Sequence, residues 1–207
     1  MAQIAYGESR TPRSVFVLSP ANLSGRRANL VLRADARCEL GIRLRLAGAP
    51  LGEVFSFVSG LYFRGKLAYA TAFSTHVKTA GGSVFIITST HGLLSPEALT
   101  RTDQLREMAA VPIHISNLQY RLALERDVKR LAAQLEEGDR VVLLGSIATP
   151  KYVEPLGKIL GDRLMTPAAF VGLGDMSRGS LLLRAVRERR QLVYVSVRPP
   201  SSHHCGP

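Results

Sequence analysis

Asp175, Ser177 and Arg178 stand behind Gly172 and Gly174 in the stretch Val171-Gly172-Leu173-Gly174-Asp175-Met176-Ser177-Arg178-Gly179-Ser180-Leu181. The order is that of a strand end, a glycine turn and the opening of an apolar helix. Glycine permits backbone angles that a side chain forbids. Asp or Ser at a helix start can accept from its free N–H groups, and the remaining amides with the helix dipole favour an anion. Arg178 beside them would grip a phosphate through its planar fork of donors. Val58-Ser59-Gly60-Leu61-Tyr62-Phe63-Arg64-Gly65-Lys66-Leu67 has the same grammar: with Gly60 set on Gly174, Arg64 falls on Arg178 and Gly65 on Gly179. Two such turns predict a phosphate-tolerant pocket clamped by Arg64 and Arg178. The alternative is two ordinary helices with exposed arginines.

Other polar residues close other apolar runs. Ser19 and Asn22 follow Ser14–Leu18, Ser59 and Tyr62 follow Glu53–Val58, Ser89 and His91 follow Ser83–Thr88, and Ser146 and Lys151 follow Arg140–Leu144. His91 is the candidate for proton transfer or for hydrogen bonding a ligand, because imidazole titrates near neutrality; otherwise it pins a loop carbonyl. Asp175 is the candidate carboxylate, orienting a water or stabilising positive charge on a sugar; otherwise it is a plain helix cap. Lys66 and Lys151 are further phosphate partners, with Ser177 in the Asp175 turn. Tyr62 or Phe63 could stack on a base, or be core.

The elements that must position these groups alternate between strands and helices. Strands are predicted at Ser14–Leu18, Glu53–Val58, Ser83–Thr88, Arg140–Leu144, about Arg163 to Thr166, and Gln191–Val197. Helices are predicted at Asp35–Leu46, from the Arg64 turn to about Phe73, from about Asn117 to Leu135, from Lys151, and after Asp175. Leu23–Leu32 has no clear pattern, and the segment with Thr102-Asp103-Gln104 reads as a loop. Continuous apolar strands alternating with helices predict an α/β fold: a mainly parallel sheet of about five or six strands with helices on both faces, in three layers. The strand ends of such a sheet share one edge, where ligands bind, so the polar residues above can converge. One domain over residues 14–198 is expected, with a loose arm at 1–13 and a tail at 199–207.

The 207 residues suit one such domain, and 46% hydrophobic residues exclude disorder as the main state. A formal charge of +11, with 27 Lys and Arg against 16 Asp and Glu, points to nucleic acid, nucleotides or another polyanion. Two cysteines, Cys38 and Cys205, exclude a disulfide framework and suit a reducing cytoplasm. No run spans a bilayer and none reads as a secretion signal, so no membrane partner is expected. His203-His204 reads as surface, and no metal or cofactor is expected. Phosphate-binding P-loop, Gly-x-Gly-x-x-Gly, Gly-x-Ser-x-Gly and His-Glu-x-x-His motifs are absent, against ATPase, dinucleotide oxidoreductase, serine hydrolase and zinc peptidase readings.

Phe16-Val17-Leu18-Ser19-Pro20-Ala21, Thr88-Ser89-Thr90-His91-Gly92-Leu93-Leu94-Ser95-Pro96 and Tyr62-Phe63-Arg64-Gly65-Lys66 resemble the YaaA-type bacterial peroxide-stress proteins and their small relatives. That resemblance implies a basic, DNA-binding protein. Val141-Val142-Leu143-Leu144-Gly145-Ser146-Ile147-Ala148 with Lys151, and Asp175-Met176-Ser177-Arg178-Gly179, resemble more faintly the uracil-DNA glycosylase superfamily, implying its fold and cleavage of N-glycosidic bonds. No histidine stands in the Asp175 loop, and Ser19-Pro20-Ala21-Asn22 replaces that family's Gly-Gln-Asp-Pro. The reading is therefore a protein that binds nucleic acid or a nucleotide-like ligand and could hydrolyse an N-glycosidic bond through Asp175 and His91. The alternatives are a non-catalytic DNA or RNA binder and an enzyme acting on a small phosphorylated metabolite.

Overall fold

A computed structural model describes residues 13–75 and 82–197. The predicted tail, His203-His204 and all of the predicted arm except Arg13 lie outside the described residues. From the N-terminal side run β1 (Ser14–Leu18), α1 (Arg26–Leu32), α2 (Glu39–Leu46), β2 (Ala49–Pro50), α3 (Leu51–Ser59), α4 (Leu61–Phe73) and β3 (Val84–Ile87). Then follow β4 (Leu93–Leu94), β5 (Leu99–Thr100), α5 (Thr102–Ala110), α6 (Leu118–Ala132) and β6 (Arg140–Leu144). The last elements are α7 (Pro150–Leu160), β7 (Leu164–Pro167), α8 (Asp175–Arg187) and β8 (Tyr194–Ser196).

The main sheet has six strands in the order β4-β3-β1-β6-β7-β8. β1, β3, β6 and β7 are parallel, and the edge strands β4 and β8 are antiparallel to their neighbours. β2 and β5 form a separate two-stranded ribbon. Alternate residues of β1 and β6 enter opposite cores. Phe16, Leu18, Val142 and Leu144 pack with apolar residues of α1 to α5 and α8; Val15, Val17, Val141 and Leu143 pack with α6 and α7. Burial on both faces is why these strands are continuous apolar runs, and the predicted three-layer α/β architecture is the observed one. No helix among the described residues is long and apolar enough to cross a membrane.

Three expectations are corrected. Glu53–Val58 is helix, not strand: Val54, Phe55 and Val58 are buried while Glu53 and Phe57 are exposed, which is one face of α3. The turn into α4 is a hinge between two helices at Gly60, whose φ of +67° suits glycine. Thr102 begins α5 rather than lying in a loop, and its helix buries Leu105 and Met108. The unassigned segment 23–32 contains α1, anchored by Ala28 and Val31.

The chain leaves β1, returns as β3 on one side of it, and then crosses over to β6 on the other. β1 is thus the point where strand order reverses, and a crevice opens beyond its C-terminal end.

Candidate ligand site at the strand ends

That crevice is a cleft of about 490 Å³, within the range of small-molecule sites. The ends of β1, β3 and β6 bring Ser19, Thr88, Ser89 and Ser146 to its wall, and the loop after β1 adds Pro20 to Ser24, Asn22 among them. The end of α3 and start of α4 bring Ser59, Tyr62 and Lys66, α7 brings Lys151 and Tyr152, and α8 brings Asp175. Phe55, Met108, Val111 and Ile113 supply an apolar wall. So Ser19, Asn22, Ser59, Tyr62, Lys66, Ser146, Lys151 and Asp175 converge as the sequence predicts.

His91, Arg64, Arg178 and Ser177 do not line this cleft. The loop from Thr88 to Gly92 is closed on itself: Thr88 N and Oγ1 both donate to the Gly92 carbonyl, and His91 N donates to Thr88 Oγ1. His91 Nδ1 lies 2.6 Å from Thr90 Oγ1, so the imidazole serves its own loop. Ser177 lines a separate shallow recess with Leu173 and Met176.

The two arginines separate. Arg64 is exposed on α4. Arg178 is 7% exposed; its Nε and Nη2 donate to the Phe170 carbonyl at 3.3 and 3.0 Å, and its guanidinium lies over the Phe170 ring. Nη1 is 3.7 Å from Asp175 Oδ1. Arg178 therefore ties the start of α8 to the segment after β7, with Nε and Nη2 already engaged. The repeated Arg-Gly spelling has a packing cause: Gly65 and Gly179 are the points where α4 and α8 touch.

Helix N-termini supply the positive potential that the arginines do not. α4, α7 and α8 all place first-turn residues on the cleft, and none of the three has a side-chain cap: the N-cap positions are Gly60, Thr149 and Gly174. Asp175 is thus the first helical residue, not the cap, and its carboxylate stands 70% exposed on the rim. First-turn amides left without a capping side chain favour an anionic ligand.

Lys66 is 1% exposed. Nζ donates to the Ser19 carbonyl at 2.5 Å and to Ser19 Oγ at 2.8 Å, and it lies over the Tyr62 and Phe63 rings. Burial lowers its pKa to about 7, with the Asp175 charge acting weakly the other way. Tyr62 is raised to about 12, chiefly by burial, with the Arg178 charge opposing and the Asp175 charge adding. Its hydroxyl is buried beside the Arg178 guanidinium, which holds that rise down. With Lys66 over one face and the residue only 7% exposed, Tyr62 presents no free ring face on which a base could stack. Tyr152 is also raised, by burial first and then by Tyr62 and Asp175.

Supporting bonds fix the walls. Ser89 Oγ donates to the Met108 carbonyl. Tyr120 Oη donates to the Lys151 carbonyl, and Lys151 Nζ lies over Tyr152. Asn22 Oδ1 accepts from Ser24 N and Oγ. Tyr152, Thr88, Met108 and the 111–113 segment were not chosen from the sequence; Tyr152 alone carried a signal, as the neighbour of Lys151 at a predicted helix start. Among the described residues, no group of three or more His, Cys, Asp or Glu could hold a metal ion.

Fold and site together define an open, mostly parallel α/β protein with a cleft at the strand-order reversal. No family model, curated protein or solved structure matches the chain.

Proposed function

We propose that the protein binds a nucleotide, free or within nucleic acid, in the strand-end cleft and hydrolyses its N-glycosidic bond. The observation that carries this reading is the meeting of three uncapped helix N-termini with Lys151 on one cleft, which favours a phosphate-bearing ligand. The apolar wall of Phe55, Met108 and Ile113 suits a base. Asp175 on the rim is the carboxylate to stabilise positive charge developing on the sugar as the base departs. Arg26 and Arg27 are exposed on α1, and Arg27 Nη1 would lie 2.8 Å from a Cβ on Gly60, beside Ser59 at the cleft edge. That placement supports a longer polyanion crossing the mouth, and with it the alternative of a DNA or RNA binder that performs no cleavage. The half-buried free Cys38 suits a reducing compartment such as the cytoplasm.

The test has two parts. Calorimetric titration of nucleotides and of single- and double-stranded oligonucleotides should give binding that inorganic phosphate displaces and that weakens steeply with salt. Free-base release should occur with wild type and be lost in Asp175→Asn, with binding retained. Binding without base release from any substrate would leave the non-catalytic reading; no binding at all would remove both.

A further inference from the structure

The cleft holds a reacting pair that cleavage by Asp175 does not use. Ser19 lies at the end of the central strand β1 and lines the cleft. Its Oγ is 2.8 Å from Lys66 Nζ, and the same nitrogen is fixed by the Ser19 carbonyl. Gly145, where β6 ends, makes the room: a Cβ there would stand 2.9 Å from Ser19 Cβ and 3.2 Å from its Oγ. Among the described residues Lys66 makes no ion pair, and its other neighbours include the Tyr62 and Phe63 ring faces. A buried amine without a carboxylate partner is held toward its neutral form, and a neutral amine accepts the proton of the hydroxyl beside it. A nucleophile, a base in hydrogen-bonding reach and a cleft over both is the geometry of covalent catalysis.

We propose that Ser19 is a nucleophile and Lys66 its general base, acting on an acyl ester or amide carried by a phosphorylated molecule. Ser19 Oγ bonds to the acyl carbon as its proton passes to Lys66 Nζ. The tetrahedral intermediate collapses, the C–O or C–N bond to the leaving group breaks, and Lys66 returns the proton to that group. Water then attacks the Ser19 ester, again giving a proton to Lys66. The carboxylic acid leaves and Ser19 recovers its hydrogen, so the net reaction is hydrolysis. The amides of Ala21 and Asn22, in the loop directly after Ser19, donate to no group among the described residues and are candidate donors to the oxyanion. The phosphate preference rests on the binding reading above; the reacting bond and the nucleophile do not.

A fluorophosphonate probe tests the pair without any natural substrate: Oγ–P forms, P–F breaks, fluoride leaves and the proton goes to Lys66. The charged and titratable groups that line the cleft with Lys66 are Tyr62 on α4, Lys151 and Tyr152 on α7, and Asp175 on α8, with Arg178 of α8 beside Tyr62. Mass spectrometry of the full chain should find one adduct, on Ser19, formed faster as pH rises through about 7. Ser19→Ala should give none. Lys66→Met should slow labelling by at least ~100-fold, the scale of general base catalysis, and Lys66→Arg should not rescue it, because guanidinium stays protonated. Thermal melts establish which variants fold. If Lys66→Met does not, the wild-type pH profile and Ser19→Ala decide. No adduct, an adduct elsewhere, or a rate flat from pH 5 to 9 would overturn the proposal. Nucleotide titration of the same samples separates the readings: labelling without nucleotide binding removes only the phosphate preference, and binding without labelling removes only the nucleophile.

Discussion

Gly65 of α4 and Gly179 of α8 meet backbone to backbone. A Cβ on Gly65 would lie 2.8 Å from the Gly179 carbonyl oxygen, and one on Gly179 would lie 2.9 Å from Tyr62 Cα. Both obstacles are main chain, so a side chain at either position must push the helices apart. Because Tyr62 and Lys66 ride on one helix and Asp175 on the other, separation also distorts the cleft.

Gly65→Ala and Gly179→Ala should each destabilise the protein by at least ~1–3 kcal/mol, the usual cost of overpacking, and weaken ligand binding as well. Because both act on one contact, the double variant should cost less than the two added. Urea unfolding of the three variants measures this; stability equal to wild type in both single variants would mean the crossing is looser than described.

Arg178 and Arg64 should behave oppositely despite their matching sequence context. Arg178→Met removes two charged donors from the Phe170 carbonyl, a loss of about 1.5–3 kcal/mol. Arg64→Ala, at an exposed position, should change stability by less than ~0.5 kcal/mol. Denaturant midpoints with unchanged slopes would decide the ordering, and the reverse ordering would return Arg178 to the role of a free anion clamp.

Lys66 should give the protein a pH-dependent stability. Unfolded, the amine holds its proton up to the ordinary value of 10.5; folded, it releases it at about 7. Below pH 7 both states are protonated and the cost of burying the charge is present in full. Between pH 7 and 10.5 the unfolded state binds the extra proton, so this contribution to stability rises with pH, by at most ~1.4 kcal/mol per unit. The stability of Lys66→Met relative to wild type should therefore be greatest near pH 6.5 and shrink toward pH 10. A difference that stays constant across that range would show the lysine to be solvated rather than sealed.

β1, β3 and β6 were legible because burial on both faces leaves an uninterrupted apolar run, and their polar ends then pointed to the right edge of the sheet. α3 was not legible: with Phe57 apolar yet exposed, Val54-Phe55-Ser56-Phe57-Val58 carries no helical period, and a short apolar run suits a strand equally. α5 buries only Thr102, Leu105 and Met108, too few to announce a helix. Among the site residues, Ser19, Lys66 and Asp175 were found by type and place. That Lys66 is sealed while Arg64, two residues earlier, is exposed follows from the face of α4 turned toward β1, which only the tertiary packing defines. Arg178 misled for a related reason: its acceptor is the Phe170 main-chain carbonyl, to which no residue type gives a clue.

The crossing of α4 and α8 also orders assembly in time. A chain emerging from its N-terminus completes β1, β3 and β6 while the glycine-bearing flank of α4 still faces water, because the helix that covers it comes near the end of the described residues. Until α8 docks, Asp175 is not on the rim and the third helix N-terminus is missing. A nascent chain stalled before that helix would carry Ser19 and Lys66 without the wall that α8 adds to the cleft, so the cleft is completed late, by nearly the last of the described elements to be synthesised.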